Sequence, residues 1–417
     1  MESLRNKVYQ TLRRSESFFK TDMVYLAKGG GWLTGGQVAV GVVSFLLSLA
    51  FANLLLPKIY GTYKYIISLA GILSALSLSG LSTALVRAVA KGYEGSLVKA
   101  FWMNIRWGVI IMLAGGLGSL YYYTNDNNLL AIGLMIVGLL SPVIDSAELY
   151  DSFLIGKKNF RLIATLKLLR VLATSLFMFA TLVLTKNPLL LVLSYFSIHT
   201  ITTLYLYLYV RGKNQAVNTN MRVDPEMDRL AKHTSVMNSL AIFSDSIDNI
   251  LIFHYFGPIQ LAIYNFALAI PNQVGGILKS INTLATPKFA NQDKKIFQKT
   301  MVEKSLRVFL VGALVAVAYV FSAPFIFKAF FPQYLSSIQY SQVYSIILLF
   351  SAALPVAFLD AQMAIKEKYS ATILSNIFKI GAIFFGLYFF GLWGLIIGRV
   401  VSKMFAVSTA FFFSSRV

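Results

Sequence analysis

Ionisable side chains are scarce in this chain, and several fall inside long apolar runs. A charged group near the centre of a bilayer costs about 2.5–3.5 kcal/mol on insertion scales, so each one kept there is a candidate for function. Four bases, Arg170, Lys279, Lys379 and Arg399, occupy such runs, with the acids Asp145, Glu148, Asp151, Asp245, Asp248 and Asp360. Bases contributed by three different helices would line a hydrated cavity suited to an anion. The planar fork of Arg170 can bond two oxygens of a phosphate at once. Arg170, Lys279 and Lys379 are therefore the candidate anion-binding set. Arg87 and Lys28 are further candidates near helix ends, where long basic side chains also reach out to the interface. A mid-span acid can hold Na⁺ or H⁺. Asp248, with Asp245 three residues before it on the same helix face, is the candidate site for a coupling cation. Asp145 and Glu148 share a face in the same way, while Asp151 and Asp360, nearer span ends, read as structural ion pairs.

Other chemistry is missing. His199, His233 and His254 are widely separated and lack metal-ligand spacing. No Gly-rich phosphate loop, nucleophile elbow or zinc motif is found, and the absence of cysteine excludes disulfides and iron–sulfur ligation. The expectation is a protein that is not an enzyme, with no cofactor or metal beyond a coupling Na⁺ or H⁺.

The elements that must position these groups follow from composition. Of 417 residues, 57% are hydrophobic and 13% charged, against roughly 25% charged in soluble domains. That excludes a soluble enzyme and a nucleic-acid-binding domain, although the net charge is +20. Apolar runs of membrane length fall near 29–56, 61–86, 107–123, 129–153, 162–184, 189–210, 235–256, 259–286, 308–331, 343–363, 370–390 and 392–414. Barrel strands are shorter and alternate, so these are helices. Lys and Arg test the count: 29 fall on one side of this layout and 4 on the other. By the positive-inside rule both termini are cytoplasmic. The expected fold is an all-α integral membrane protein of about twelve transmembrane helices. Residues 1–28 form a basic amphipathic segment before the first span.

The two halves repeat. At an offset of 201, Pro57, Tyr63, Arg87 and Arg106 correspond to Pro258, Tyr264, Lys288 and Arg307; at 209, Asp151, Lys157 and Arg170 correspond to Asp360, Lys366 and Lys379. Six spans per half keep the same orientation, so the lobes should be related by a pseudo-two-fold axis along the membrane normal. They cover 29–210 and 233–417, joined by a cytoplasmic linker at 211–232. Arg170 and Lys379 each lie about nine residues into their spans, roughly 13–14 Å deep. Gly29 to Gly31, Gly35, Gly36, Gly394 and Gly398 suit close helix packing, and Pro271 and Pro355 suit kinks.

Two passages carry a family resemblance. One runs Leu56-Pro-Lys-Ile-Tyr-Gly-Thr-Tyr-Lys-Tyr65 to Gly80-Leu-Ser-Thr-Ala-Leu-Val-Arg87. The other runs Ser244-Asp-Ser-Ile-Asp-Asn249 through Gly257, Pro258 and Tyr264 to Pro287-Lys-Phe-Ala290. They resemble bacterial oligosaccharide-lipid flippases of the O-antigen translocase type, within the multidrug/oligosaccharidyl-lipid/polysaccharide (MOP) exporter superfamily. The resemblance implies two six-helix lobes around a central cavity in the cell inner membrane. It also implies alternating-access transfer of an undecaprenyl-pyrophosphate-linked oligosaccharide for surface polysaccharide synthesis. The implied partners are that lipid-linked glycan, membrane lipids and the polysaccharide polymerase machinery, with no nucleic acid. Peptidoglycan-precursor relatives usually have fourteen spans, which argues against that cargo. A drug/cation antiporter of the same architecture is the alternative, and would carry an acidic chamber. A membrane polymerase or ligase would need a catalytic outer loop, and the outer joints here are short.

Overall fold

The structure is a computed structural model that describes residues 23–214, 222–290, 294–362 and 364–416. Side chains are described for 31–32, 35–214, 222–279, 301–359, 362, 364 and 366–416. The described residues are helical, without strands. In chain order the helices are α1 (Met23–Leu54), α2 (Pro57–Ser74), α3 (Leu81–Ala90), α4 (Ser96–Thr124), α5 (Asn128–Ala147), α6 (Leu149–Gly156), α7 (Phe160–Leu184) and α8 (Pro188–Lys213). They continue as α9 (Met227–Ala290), α10 (Lys294–Phe330), α11 (Ser337–Tyr344), α12 (Leu354–Ala361) and α13 (Ile365–Ser414).

Among the described residues the helices resolve into twelve crossings once the breaks are read. Eight helical stretches among the described residues are long and apolar enough to span a membrane. Two of them double back. Gly257 sits inside α9 at φ 82°, and Gly391 inside α13 at φ 58°, conformations that a side chain disfavours. Across Gly257 the Tyr264 hydroxyl donates to Asp248, and Asn265 Nδ2 donates to Asn249 Oδ1 at 3.2 Å, so the two arms of α9 run antiparallel. Across Gly391, Ser375 and Thr409 hydroxyls meet at 2.9 Å and Gly386 lies against Gly394 backbone. Two more crossings are interrupted helices: α2 with α3, and the α11–α12 stretch, which passes through a 3-10 turn at Ser345–Phe350.

Local chemistry fixes the helix starts. Asn127, Asn159 and Asn187 precede α5, α7 and α8, and their side-chain oxygens accept the backbone N–H of Leu130, Leu162 and Leu189. Pro57 and Pro188 begin α2 and α8, where a missing N–H costs nothing.

By contacts the described chain forms two compact units. One comprises Ala39–Phe266 with Phe325–Ser337, and the other the remaining described residues. These bounds differ from the lobe boundary that the repeat suggests at 211–232. The cause is the first arm of α9, which packs antiparallel along α2 for its full length. A Cβ on Gly61 would overlap the Pro258 carbonyl, one on Gly71 would meet Ser246 Oγ at 2.7 Å, and one on Gly80 would overlap Thr234. Small residues thus let the backbones approach. Within the same unit α4 and α5 close up similarly, Gly108 on Pro142 and Gly115 on Gly138. In the other unit, Gly398 lies against Ala382 as the sequence suggests, whereas Gly31 and Gly35 have no neighbour within 4 Å.

Candidate functional site

Two helix breaks in the Ala39–Phe266 unit frame the site. The first separates α2 from α3 at residues 75–80. A break in lipid frees backbone groups that must find partners. Here the α9 side chains supply them: Ser239 Oγ donates to the Ala75 carbonyl at 2.5 Å, Asn238 Nδ2 to Ser79 at 3.3 Å and Thr234 Oγ1 to Gly80 at 3.3 Å. Ser235 Oγ accepts the Gly80 N–H at 3.0 Å. The second break falls at Glu148, between α5 and α6, six residues after Pro142. The interruption there is local: Glu148 keeps helical torsions and its N–H still bonds the Ile144 carbonyl at 2.9 Å.

Between the breaks lies a chamber of about 280 Å³. Its lining includes Ser74, Ser77, Ser79 and Ser82 from the first break, Asn104 from α4, and Asp145, Glu148 and Asp151 around the second. Three acids on one chamber need a counter-charge, and Arg170 on α7 provides one. Its Nη1 lies 2.5 Å from Glu148 Oε1, and His199 Nε2 on α8 lies 3.3 Å from the same oxygen. Arg170 is 13% exposed and Glu148 41% exposed, the latter toward the chamber. Arg170 is therefore a partnered cation, not a solitary base awaiting an anion. Burial makes this pairing favourable, because a lone guanidinium in a medium of low dielectric is strongly penalised.

The remaining predicted residues are dispersed. Lys279 is exposed on the second arm of α9 and Lys379 is half-buried on α13, both in the unit that does not hold Arg170. Arg87 does not line that chamber. It pairs with Glu226 at 3.0 Å, beside Lys91 with Asp224 at 3.5 Å and Lys99 with Asp228 at 2.8 Å. An acidic triplet at the start of α9 thus neutralises bases of the α3–α4 region, a partnership that counting bases alone did not expose. Asp248 is fully buried; Tyr264 donates to its Oδ2 and the Asn249 N–H to its Oδ1 at 2.9 Å. These bonds anchor the α9 hairpin. Asp245 is exposed on the same helix. Asp151 lines the chamber with its Oδ1 unpartnered, although Arg170 and Lys167 stand nearby. The side chains of Lys28 and Asp360 lie outside the described residues.

Sequence reasoning passed over His199, Asn104 and the serines. Four serines within nine residues, Ser74 to Ser82, in an otherwise apolar span were the available signal. Among the described residues no three His, Asp or Glu side chains converge as metal ligands.

This architecture has solved counterparts. An outward-facing multidrug resistance MATE family transporter of the MOP superfamily superposes with a TM-score of 0.69 at 14% identity, covering 94% of this chain and 95% of that one. An inward-facing MATE structure gives 0.65 at 12% identity, with 92% and 97% covered. A MOP superfamily transporter from Pyrococcus furiosus, whose binding pocket is described as reversed in polarity, gives 0.67 at 15% identity, with 94% and 95% covered. The fold is that of the MOP superfamily of membrane transporters. Residues 26–292, well over half of the chain, match the polysaccharide biosynthesis protein family. The chain belongs to that family. No curated protein matches it significantly.

Proposed function

We propose that this protein is a flippase that moves a polyprenyl-pyrophosphate-linked oligosaccharide across the cytoplasmic membrane by alternating access. The observation that carries the reading is membership of the polysaccharide biosynthesis family on a twelve-span transporter fold. The 29-to-4 division of bases supports cytoplasmic termini and the inner membrane as its place. In this reading the two six-helix lobes, 29–210 and 233–417, rock against each other while the prenyl tail stays in lipid. Lys279 and Lys379 serve the pyrophosphate. Arg170, already engaged by Glu148, contributes through the guanidinium donors that Glu148 leaves available. The cation acts through its different affinity for the two states, since equal affinity would shift nothing.

The test is export of lipid-linked glycan in cells lacking their own flippase. Lys279→Ala combined with Lys379→Ala, expressed at wild-type level, should reduce export at least tenfold; unchanged export would remove both lysines from the cargo site. A second reading, a multidrug antiporter, draws on the acidic chamber. At about 280 Å³ that chamber is small beside the roughly 300–1,000 Å³ pockets that hold drug-sized ligands. Binding of organic cations that is lost in Asp145→Asn would favour it.

A further inference from the structure

The chamber between the two helix breaks carries buried side-chain oxygens that have no partner among the described residues. Four buried polar atoms on its wall have no partner: Asn104 Oδ1, Asp145 Oδ2, Asp151 Oδ1 and Ser79 Oγ. Asn104 Oδ1 can only accept, and the two aspartate oxygens accept whenever their carboxyls are ionised. Asn104 is the clearest, being 4% exposed and lining the chamber with an orphaned oxygen. Buried acceptors of native proteins are nearly always satisfied, by protein, water or a bound ion, so Asn104 Oδ1 and its neighbours mark where an occupant would be held.

Charge points the same way. Glu148 is matched by Arg170, and Asp151 has Arg170 and Lys167 in its vicinity. Asp145 has a second acid, Glu148, as its charged neighbour and the Ser74 hydroxyl as its hydrogen-bond donor. Helix dipoles do not decide the sign, because each break presents one C-terminal and one N-terminal end whose fields oppose. The side chains therefore set an acidic potential around Asp145.

Interrupted helices at membrane depth are tolerated where they line a site, and ion sites are commonly built at such breaks. We propose that this chamber binds one Na⁺ ion, held by Asp145, Asn104 and the neighbouring serine hydroxyls. A proton on Asp145 would meet one of the orphaned oxygens and leave Asn104 Oδ1 unbonded, whereas a hard cation gathers several oxygen ligands at once. The second half has no equivalent: at the repeat offset of 209, Leu354 and Ala357 stand where Asp145 and Glu148 do. The acids are thus not required by the fold itself. The site's place in coupling rests on the transporter reading; binding itself does not, and displaces Asp248 as the candidate ion ligand.

The experiment uses the purified full-length chain in nanodiscs with no glycan lipid present. Binding of ²²Na⁺ is measured at constant ionic strength against choline, and melting is followed over the same Na⁺ series. Saturable ²²Na⁺ binding at one site per chain is expected, with a melting midpoint that rises with Na⁺ but not with choline. Asp145→Asn and Asn104→Leu should each weaken binding at least tenfold. Asn104→Asp, which keeps the oxygen ligand, and Asp245→Asn should retain it. Should Asp145→Asn fail to fold, Ser79→Ala, expected to weaken binding several-fold, carries the test. Absence of saturable Na⁺ binding by the wild-type chain, or full affinity in the folded variants, would overturn the proposal. Either result leaves the glycan-lipid reading standing, since no cargo enters the assay.

Discussion

Removing Glu148 separates two roles for Arg170, and the size of the effect can be worked from the geometry. Arg170 lies ten residues into α7, about 15 Å along it, and is 13% exposed. Unit charges about 3 Å apart attract by about 5–6 kcal/mol at an effective dielectric of 20, but desolvation offsets much of that. Breaking a fully buried pair by deleting one partner costs about 3–5 kcal/mol. Glu148 is 41% exposed to the chamber, so about 2–3 kcal/mol is the appropriate range for Glu148→Gln. The double variant Glu148→Gln with Arg170→Met leaves neither member of the pair unmatched, with Lys167 still near Asp151, and should recover about 1–2 kcal/mol of the summed loss. Unfolding of the four chains in mixed micelles closes the cycle. Additive losses, with no coupling, would refute the pair as an electrostatic unit. Export adds the functional arm. If Arg170 acts only through the pair, export should follow stability in all four chains. If it also serves the cargo, Arg170→Met and the double variant should lose export while Glu148→Gln keeps it.

Two backbone predictions follow from the packing. Gly391→Ala places a side chain at φ 58° and should destabilise by about 1–3 kcal/mol, read as a lowered denaturation midpoint; an unchanged midpoint would show that the α13 turn relaxes freely. Gly61→Val drives a branched side chain into the Pro258 carbonyl and should abolish accumulation of folded protein in the membrane, whereas Val at Gly116, which has open space around it, should be tolerated.

Much of this architecture was legible in the sequence. The expected spans end at 256 and 390, beside Gly257 and Gly391, where the chain turns back on itself. The breaks at 75–80 and at Glu148 were not legible. Hydropathy alone carries the run through both, and the α9 groups that satisfy the first break lie more than 150 residues away. For the site, spacing placed Asp145 and Glu148 on one face, but it could not say which distant base would reach them. Arg170 and Lys379 match in the repeat, and Glu148 pairs with Arg170, whereas Leu354 and Ala357 stand at the repeat positions of Asp145 and Glu148. Asp248 looked like an ion ligand from depth alone, and its role as an acceptor for Tyr264 depended on how tightly α9 turns.

Transfer of the cargo itself tests the central claim most directly. The purified chain, reconstituted in vesicles, would be supplied with a fluorescent polyprenyl-pyrophosphate-linked oligosaccharide, and a membrane-impermeant quencher would report its arrival at the opposite leaflet. The account predicts protein-dependent transfer of this lipid, slowed at least tenfold in the Lys279→Ala, Lys379→Ala double variant, with no acceleration for a neutral phospholipid probe. Equal rates for both lipids, or for vesicles with and without the protein, would contradict it.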